Sequence, residues 1–343
     1  MRIGVAVSGG MDSLFTAVLL AEAGHEVLAL HAFFLPPTDD SRAKSEELGK
    51  AVNALGCDYA AVDLSREFDE QVIAPFEQAY IQGLTPNPCA VCNRTMKFGL
   101  LADEALRQGA ERIATGHYAR VKGEGESTRL VRGLDPIKDQ SYFLSLVPRK
   151  LLSKAVFPLG EWTKEQVKAE LKLREMTPPL PSESQEICFV PDDDYCAFLS
   201  TRQTELPGPG AIILSDGTEL GRHQGLWRYT LGQRRGIGVA WSEPLYVTGK
   251  NLETNALIVG PRESTLIQHC DARDVNLLVP QDQWPQDILA QLRYRQQAQP
   301  VRANLKNHGM RLDFTNPQSL PAPGQVAACY SPDGIVLAGG VII

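Results

Sequence analysis

The sequence predicts an α/β protein: a parallel-sheet nucleotide domain, then a small β-rich domain, then a C-terminal β-barrel. Three observations carry that reading. Ile3 to Leu20, IGVAVSGGMDSLFTAVLL, is an apolar strand that runs through a Gly turn straight into a helix. Strand and helix patterns then alternate, which is the signature of parallel pairing with a ligand at the carboxyl ends of the strands. Past Glu205 the texture changes, and ten glycines between Gly208 and Gly260 separate short apolar runs such as AIIL, PLYV and ALIV.

Taken in order, the first turn is an anion site. Ser8, Gly9 and Gly10 allow a tight bend with amides aimed at a phosphate, and the following helix dipole adds to the field. Asp12 and Ser13 sit at the helix start, so Asp12 reads either as a first-turn cap or as a Mg²⁺ ligand beside the phosphates. No Lys-Ser/Thr pair closes a Gly-x4-Gly turn, which excludes a Walker P-loop. Val27 to Leu35 is a second strand, Arg42 to Leu55 a helix with Leu48, Val52 and Leu55 on its apolar side, and Tyr59 to Leu64 a third strand. Cys57 beside that helix end reads as a small core residue.

Gly83 to Gly99, GLTPNPCAVCNRTMKFG, is the next landmark. Pro86 and Pro88 predict a rigid loop that presents Cys89 and Cys92 ahead of a helix starting near Arg94. Paired thiols at that point suit zinc, an Fe–S cluster, or a thiolate lowered by the helix dipole with Arg94 and Lys97. Ile113 to Arg120, IATGHYAR, reads as a strand ending in Gly116 and His117, and Asp135 to Leu144, DPIKDQSYFL, as a loop with Lys138, Asp139 and Gln140 entering an aromatic helix. For that loop the plain alternative is a solvated turn capped by Asp139. Thr163 is the expected N-cap of a short helix that buries Val167 and Leu171. In Ser182 to Cys196, SESQEICFVPDDDYC, the neighbours Ile187, Phe189 and Val190 make Cys188 look like a core thiol, and Cys196 likewise. From about Thr265 the chain is strand-rich in the manner of a barrel.

The totals set bounds. At 343 residues the chain has room for two or three domains. No apolar run reaches the roughly 18 residues of a membrane span, and the N-terminus lacks a signal-peptide pattern, which predicts a cytoplasmic protein with no membrane partner. The seven cysteines are an odd number that argues against a disulfide framework. A net charge of −7 excludes nonspecific DNA coating but permits a local basic face. Arg222, His223, Arg228, Arg234 and Arg235 surround Trp227 and Tyr229, and Arg293, Tyr294, Arg295, Arg302, Lys306 and Arg311 follow; interleaved arginines and aromatics suit RNA phosphates and splayed bases.

In this order and across nearly the whole chain, SGGMDS, TPNPCAVCNRTMKFG, ATGHYAR, KDQSYFL, SQEICFV, GLWRYTLGQRRGIG and LRYRQ resemble the tRNA-specific 2-thiouridylases, members of the PP-loop ATP pyrophosphatases. The resemblance implies a PP-loop (adenine nucleotide alpha hydrolase-like) catalytic domain over 1–200, a small central β-rich domain over 205–262 and a C-terminal β-barrel over 265–343. It implies ATP with Mg²⁺, bound by Ala6, Val7, Ser8, Gly9, Gly10, Met11, Asp12 and Ser13, with Ala32 and Gly116. It sets the target base against Asn87, Pro88 and Cys89, and puts tRNA contacts at His117, Lys138, Asp139, Gln140, Arg293, Tyr294 and Gln325. Cys92 matches the nucleophile and Cys188 the persulfide carrier, which overrides the core-thiol reading of Cys188. The implied partners are tRNA and a sulfur source, either a cysteine desulfurase or relay protein or free sulfide. The plain rivals are another PP-loop adenylating enzyme and a noncatalytic RNA-binding protein that keeps the nucleotide fold.

Three departures stand out. Leu14 replaces a hydroxyl residue after SGGMDS; HAFFLPPTDD is a shortened stretch after the second strand, with Ala32 for a larger residue; and Cys89 stands where many members carry Asp. Cys89, Cys92 and Cys188 together are enough to hold a 4Fe-4S cluster, and the sequence reading favours that cluster over a bare persulfide.

Overall fold

The computed structural model describes residues 1–176, 187–203, 205–306 and 309–343. The N-terminal sheet is parallel, with strand order β3-β2-β1-β4-β7. Its strands are β1 (Arg2–Ala6), β2 (Glu26–Phe33), β3 (Asp58–Asp63), β4 (Arg112–Ala114) and β7 (Ala155–Val156). Register is tight around β1, where Ile3 faces Val27 on one side and Arg112 on the other. The chain leaves β1 toward β2 and later returns to β4 on its opposite side. The order therefore reverses between β1 and β4, and the crevice beyond their carboxyl ends is where such sheets bind ligands.

Alternation sets the two faces. Ile3, Val5 and Val7 bury with Ala17 and Leu20 of helix α1 (Met11–Glu22) and with Leu48 and Val52 of helix α2 (Asp39–Ala54), where Cys57 also lies, as expected. Gly4 points to the other face, where a Cβ would come within 2.6 Å of the Ala105 Cβ. That glycine lets the helix Leu101–Arg107 lie directly on the strand. Helix α2 begins three residues before the expected Arg42. Thr38 and Ser41 form a reciprocal cap, and Asp39 and Asp40 sit at the positive end of the dipole. Thr163 caps the helix Lys164–Leu173 as predicted, and Val167 and Leu171 are buried.

The Gly83–Gly99 stretch differs from expectation. Pro86 lies in a loop, but Pro88–Cys92 is helical and continues through Asn93–Leu100. Pro88 occupies the first helical turn, where its missing N–H costs nothing, and the Asn87 side chain accepts from Ala90 N at 3.1 Å. The two prolines therefore delay the helix rather than forbid it.

A short antiparallel pair, β5 (Ala119–Lys122) with β6 (Arg129–Arg132), leads toward the later segments. The middle sheet has the order β10-β11-β8-β9, from β8 (Gly210–Leu214), β9 (Glu219–His223), β10 (Tyr246–Asn251) and β11 (Ala256–Gly260). The aromatics expected to stack on bases are not available there. His223, Trp227 and Tyr229 are buried: Tyr229 joins the core of this small sheet, whereas Trp227 packs in the aromatic cluster with Phe68, Phe76 and Phe189 and its indole donates to Pro207 O at 3.1 Å; Arg222, Arg234 and Arg235 remain exposed.

The last six strands close a barrel in the order β12-β15-β14-β13-β16-β17. They are β12 (Leu266–Leu277), β13 (Ile288–Gln291), β14 (Gln299–Lys306), β15 (Gly309–Ser319), β16 (Val326–Tyr330) and β17 (Val336–Ile342). Inward residues such as Leu312, Phe314, Cys329 and Leu337 fill it. On its other side Val326, Ala328, Tyr330 and Val336 join the core of the N-terminal domain with Tyr142, Leu144 and Leu146. Asn276 fixes that seam by donating to Ser145 O and Val147 O. No helix among the described residues is long and apolar enough to cross a membrane.

Candidate active site

The Gly turn sits at the predicted crevice. Gly9 has φ +82, and Gly10 caps α1 with no side-chain hydrogen bond, so the first amides of the helix have no side chain from Gly10 competing for them. Ser13 braces the turn: its hydroxyl donates to Gly10 O at 2.9 Å and accepts from Ser8 N at 3.1 Å. Val7 N donates to Leu30 O, and His31 Nδ1 lies 3.0 Å from Val7 O, tying the turn to β2 immediately before Ala32. Gly116 follows β4 and touches α1 so closely that a Cβ would meet Asp12 C at 2.9 Å. Leu14 points into the core and is 2% exposed, so its missing hydroxyl does not alter the face of the turn.

Asp12 neither caps the helix nor stands open to a metal. Its Oδ1 accepts from the Tyr118 hydroxyl at 2.8 Å, and both oxygens accept from Lys164 Nζ at 2.8 Å. Among the described residues no group of three His, Cys, Asp or Glu side chains is placed to hold a metal ion. Where the sequence suggested a Mg²⁺ ligand, both Asp12 oxygens are engaged by protein donors. Sequence reading missed both partners. Tyr118 follows His117 in ATGHYAR, and Lys164 stands next to a capping Thr, where it reads as an ordinary solvated charge.

The second part is the loop 83–87, which is gripped from three sides. Gln325 Nε2 donates to Thr85 O at 2.9 Å and Pro86 O at 3.0 Å, while its Oε1 faces Asn87 Nδ2 at 3.5 Å. Thr85 N donates to Pro323 O, Thr85 Oγ1 to Thr230 Oγ1, and Lys250 Nζ to Gly83 O at 2.7 Å. Burial lowers the Lys250 pKa to about 8. All three β-rich and α/β parts therefore meet where Asn87, Pro88 and Cys89 begin their helix. Beside it Tyr294 packs on Phe143 with ring centroids 4.4 Å apart, and Arg293 donates to Leu320 O at 2.6 Å.

His117 and the 138–140 loop complete this wall. His117 is buried between Phe98 and Phe157, its Nδ1 2.7 Å from Thr115 Oγ1, and burial with the Lys97 charge keeps it neutral. Asp139 is 7% exposed. It accepts from Arg132 at 2.8 Å, from the Ser141 hydroxyl, and from Gly133 N and Ser141 N. Arg132 in turn lies over the Tyr330 ring and donates to Gln291, so Asp139 anchors this loop to the barrel. Gln140 exchanges two hydrogen bonds with the Tyr118 backbone, and Lys138 N donates to Asp135 Oδ1.

The thiols form the third part. All seven cysteines are free. Cys92 is buried in an apolar cluster shared with Phe68, Phe76, Phe189 and Val190. The clasp around Cys188 is therefore core, as the sequence suggests, while Cys188 itself is exposed. Cys89 lies between these extremes, and Cys196 is half-buried. Each of the three thiols Cys89, Cys92 and Cys188 feels the Lys97 charge, which marks them as neighbours, yet desolvation wins: Cys89 and Cys188 are raised and Cys92 is pushed up to about 12. The lowered thiolate expected at the helix start is not formed, because burial outweighs the one nearby ammonium. Among the described residues no three His, Cys, Asp or Glu side chains, these thiols included, are grouped to hold a metal ion. Of the motif SQEICFV, residues 184–186 lie outside the described residues.

Comparison with known proteins agrees with this assembly of parts. The family described as "tRNA methyl transferase HUP domain" matches residues 1–192, "tRNA methyl transferase PRC-barrel domain" residues 197–261, and "Aminomethyltransferase beta-barrel domain" residues 267–342. The tRNA-specific 2-thiouridylase MnmA of Nitratidesulfovibrio vulgaris is 56% identical over 100% of this chain and 99% of its own length. The proteins of that name from Lawsonia intracellularis and Desulforudis audaxviator are 46% and 42% identical, over 100% and 99% of this chain and 99% and 98% of their own lengths. With every part of the chain matched at such identity, this protein belongs to the tRNA-specific 2-thiouridylase family.

Proposed function

We propose that this enzyme replaces the C2 oxygen of the wobble uridine of tRNA with sulfur, at the expense of ATP. The observation that carries the reading is an exposed Cys188 close enough to the buried Cys92 to act on its ionisation, at the end of a loop clasped by all three parts. ATP fits the turn: the Gly9–Gly10 bend, the uncapped helix start and the Ser13 brace leave amides for phosphate oxygens. These amides hold and orient the triphosphate and stabilise charge on the departing pyrophosphate. The uridine C2 oxygen attacks the α-phosphorus, the bond to the β-phosphate oxygen breaks, and the oxygen later leaves with AMP.

Sulfur comes from a persulfide on Cys188. Its exposure lets a donor protein, a desulfurase or a relay, reach it, while free sulfide cannot by itself supply the sulfane oxidation state. The terminal sulfur attacks C2 and AMP leaves with its electron pair. The Cys92 thiolate then attacks Cys188 Sγ, which forms the Cys92–Cys188 disulfide and leaves the transferred sulfur on C2 with the electrons of the broken S–S bond. An external thiol reduces the disulfide before the next turnover. Lys97 supplies the positive charge that eases ionisation of Cys92 from its raised value. Gln325, Asn87, Tyr294 and Arg293 line the RNA face, and Asp139 and Gln140 shape it from beneath. A tRNA substrate agrees with a cytoplasmic location.

Digestion of treated tRNA to nucleosides tests the reading. Wobble 2-thiouridine that requires ATP is the expected product. Thiolation at another ring position, or none with pyrophosphate release intact, would select another adenylating enzyme, and no tRNA-dependent pyrophosphate release would leave only RNA binding.

A further inference from the structure

The geometry points to Lys250 as a positioning residue for sulfur transfer: from the middle domain it pins the end of the helix Ala74–Ile81, the element that holds both thiol-bearing segments, so that Cys92 meets Cys188; this rests on the function proposed above. Strand alternation alone would leave this lysine in water. Along β10 the count from buried Val247 would turn residue 250 outward, but the pairing slips between Val247 and Gly249, and Lys250 then stands opposite Leu257. Opposed residues share a face, and Val247 and Leu257 are fully buried on it. The bulge therefore turns Lys250 toward the inner face of the sheet, and its Nζ donates to Gly83 O at 2.7 Å. Gly83 is the left-handed residue that ends the helix Ala74–Ile81, with φ +73, its own N–H donated to Tyr80 O and that of Leu84 to Ala79 O. A Cβ on it would come within 3.2 Å of Leu252 and 3.4 Å of the Lys250 stem, so β10 lies directly against this helix end. A cation suits the negative end of the helix dipole.

The contact costs something to keep. Among the described residues the ammonium has no carboxylate partner, and desolvation alone lowers its pKa, to about 8. An apolar residue would seal the seam more cheaply, so what the lysine adds is a fixed place for the Gly83 carbonyl. The thiol chemistry hangs from that place on two sides. On the flank of the helix, Phe76 meets Phe189, the residue after Cys188, edge-on at 5.1 Å, and Tyr80 stacks on Tyr195 at 4.5 Å. Buried Glu77 accepts from Arg202 and, at 2.6 Å, from Gln203, which holds the far end of the helix Tyr195–Arg202. Beyond Gly83, residues 84–87 run into the helix Pro88–Cys92, and Cys92 packs in the same cluster as Phe76, Tyr80 and Phe189. A disulfide tolerates little misalignment, since its sulfurs bond at about 2.05 Å within a narrow dihedral range. A slip at Gly83 would therefore be felt when the Cys92 thiolate attacks Cys188 Sγ. Lys250 exchanges no proton and forms no bond in that step.

The full-length chain would be compared with Lys250→Met, which keeps the stem and loses the ammonium, and with Lys250→Arg, which keeps charge and donor. The readouts are single-turnover thiolation of tRNA by persulfide-loaded enzyme, pyrophosphate release, and the equilibrium of the Cys92–Cys188 disulfide with dithiothreitol in the free enzyme. In Lys250→Met a displacement on the order of half an ångström predicts sulfur transfer slower by roughly tenfold, a larger fall than that in pyrophosphate release. The disulfide should become roughly tenfold easier to reduce, and Lys250→Arg should restore much of both. Equal losses in the two steps, an unchanged disulfide equilibrium, or wild-type sulfur transfer in folded Lys250→Met would overturn the assignment. Should that variant not fold, Lys250→Gln is read in the same way, and failure of both to fold would also overturn it, since the lysine would then be structural. Wild-type enzyme that forms no wobble 2-thiouridine would refute the function above, while the disulfide equilibrium would still decide whether Lys250 aligns the thiols.

Discussion

Gly116→Ala is a steric probe of the phosphate turn. The added methyl would lie 2.9 Å from Asp12 C, 3.0 Å from Asp12 Cβ and 3.1 Å from Asp12 O. To reach an ordinary contact of 3.4 Å, the first turn of α1 must retreat by about half an ångström. The helix has little room to give, because Phe15 and Ala17 behind it are fully buried. Overpacking of this kind costs about 1–3 kcal/mol. The larger effect is positional, since Asp12 carries Lys164 and the turn amides move with it. Misplacement by 1 Å costs on the order of 10²-fold, so half that predicts a loss of roughly tenfold in kcat/KM for ATP. The assay is tRNA-dependent pyrophosphate release at varied ATP, alongside thermal melting. Gly208→Ala is the control, because a Cβ there meets nothing within 4 Å. Wild-type ATP kinetics in Gly116→Ala would refute the claim that close approach of β4 and α1 sets the site.

Other expectations follow from the same contacts. Alkylation of the native enzyme at pH 8 should modify Cys188 well before Cys92, because a thiol pushed up to about 12 has roughly one molecule in 10⁴ ionised there; mass spectrometry of peptides reads the order. The same shift fixes a sign for stability. Native Cys92 holds its proton up to about 12 while the unfolded thiol loses it near 9, so wild type should lose stability relative to Cys92→Ser as pH rises from about 9 to about 12, as measured by urea unfolding. Arg132→Met leaves the buried Asp139 carboxylate to Gly133 and Ser141 alone and should cost about 1.5–3 kcal/mol in denaturant unfolding, part of it restored by adding Asp139→Asn. Gln325→Ala removes three contacts to residues 85–87, and hydrogen exchange of that loop should accelerate with slower thiolation but unchanged adenosine binding.

The nucleotide half was legible because it rests on local rules. Hydrophobic alternation gave β1, β2 and β3, and Gly9 with Gly10 gave the turn. The barrel's existence could be read from strand density, but its closure order could not, since pairing such as β12 with β15 and β17 depends on contacts far apart in sequence. Pro88 misled because the same residue that breaks a helix interior also opens one. Trp227 and Tyr229 looked like base-stacking residues since burial, of Tyr229 under the four-stranded sheet and of Trp227 among Phe68, Phe76 and Phe189, leaves no local signal. Lys164 was invisible for the same reason: its partner Asp12 lies 152 residues away. The thiol pKa values were misjudged because proximity to Lys97 and a helix start is visible in sequence, whereas desolvation is not.

The central claim is that Cys188 carries the sulfur that ends on C2. The most direct measurement is a single turnover in which enzyme bearing an isotopically labelled persulfide is mixed with ATP and unmodified tRNA, without iron or free sulfide. Labelled wobble 2-thiouridine, formed one for one with a Cys92–Cys188 disulfide in the peptide map, is the predicted result. Label that stays on the protein, or thiolation that proceeds unlabelled and only with iron and sulfide, would contradict it.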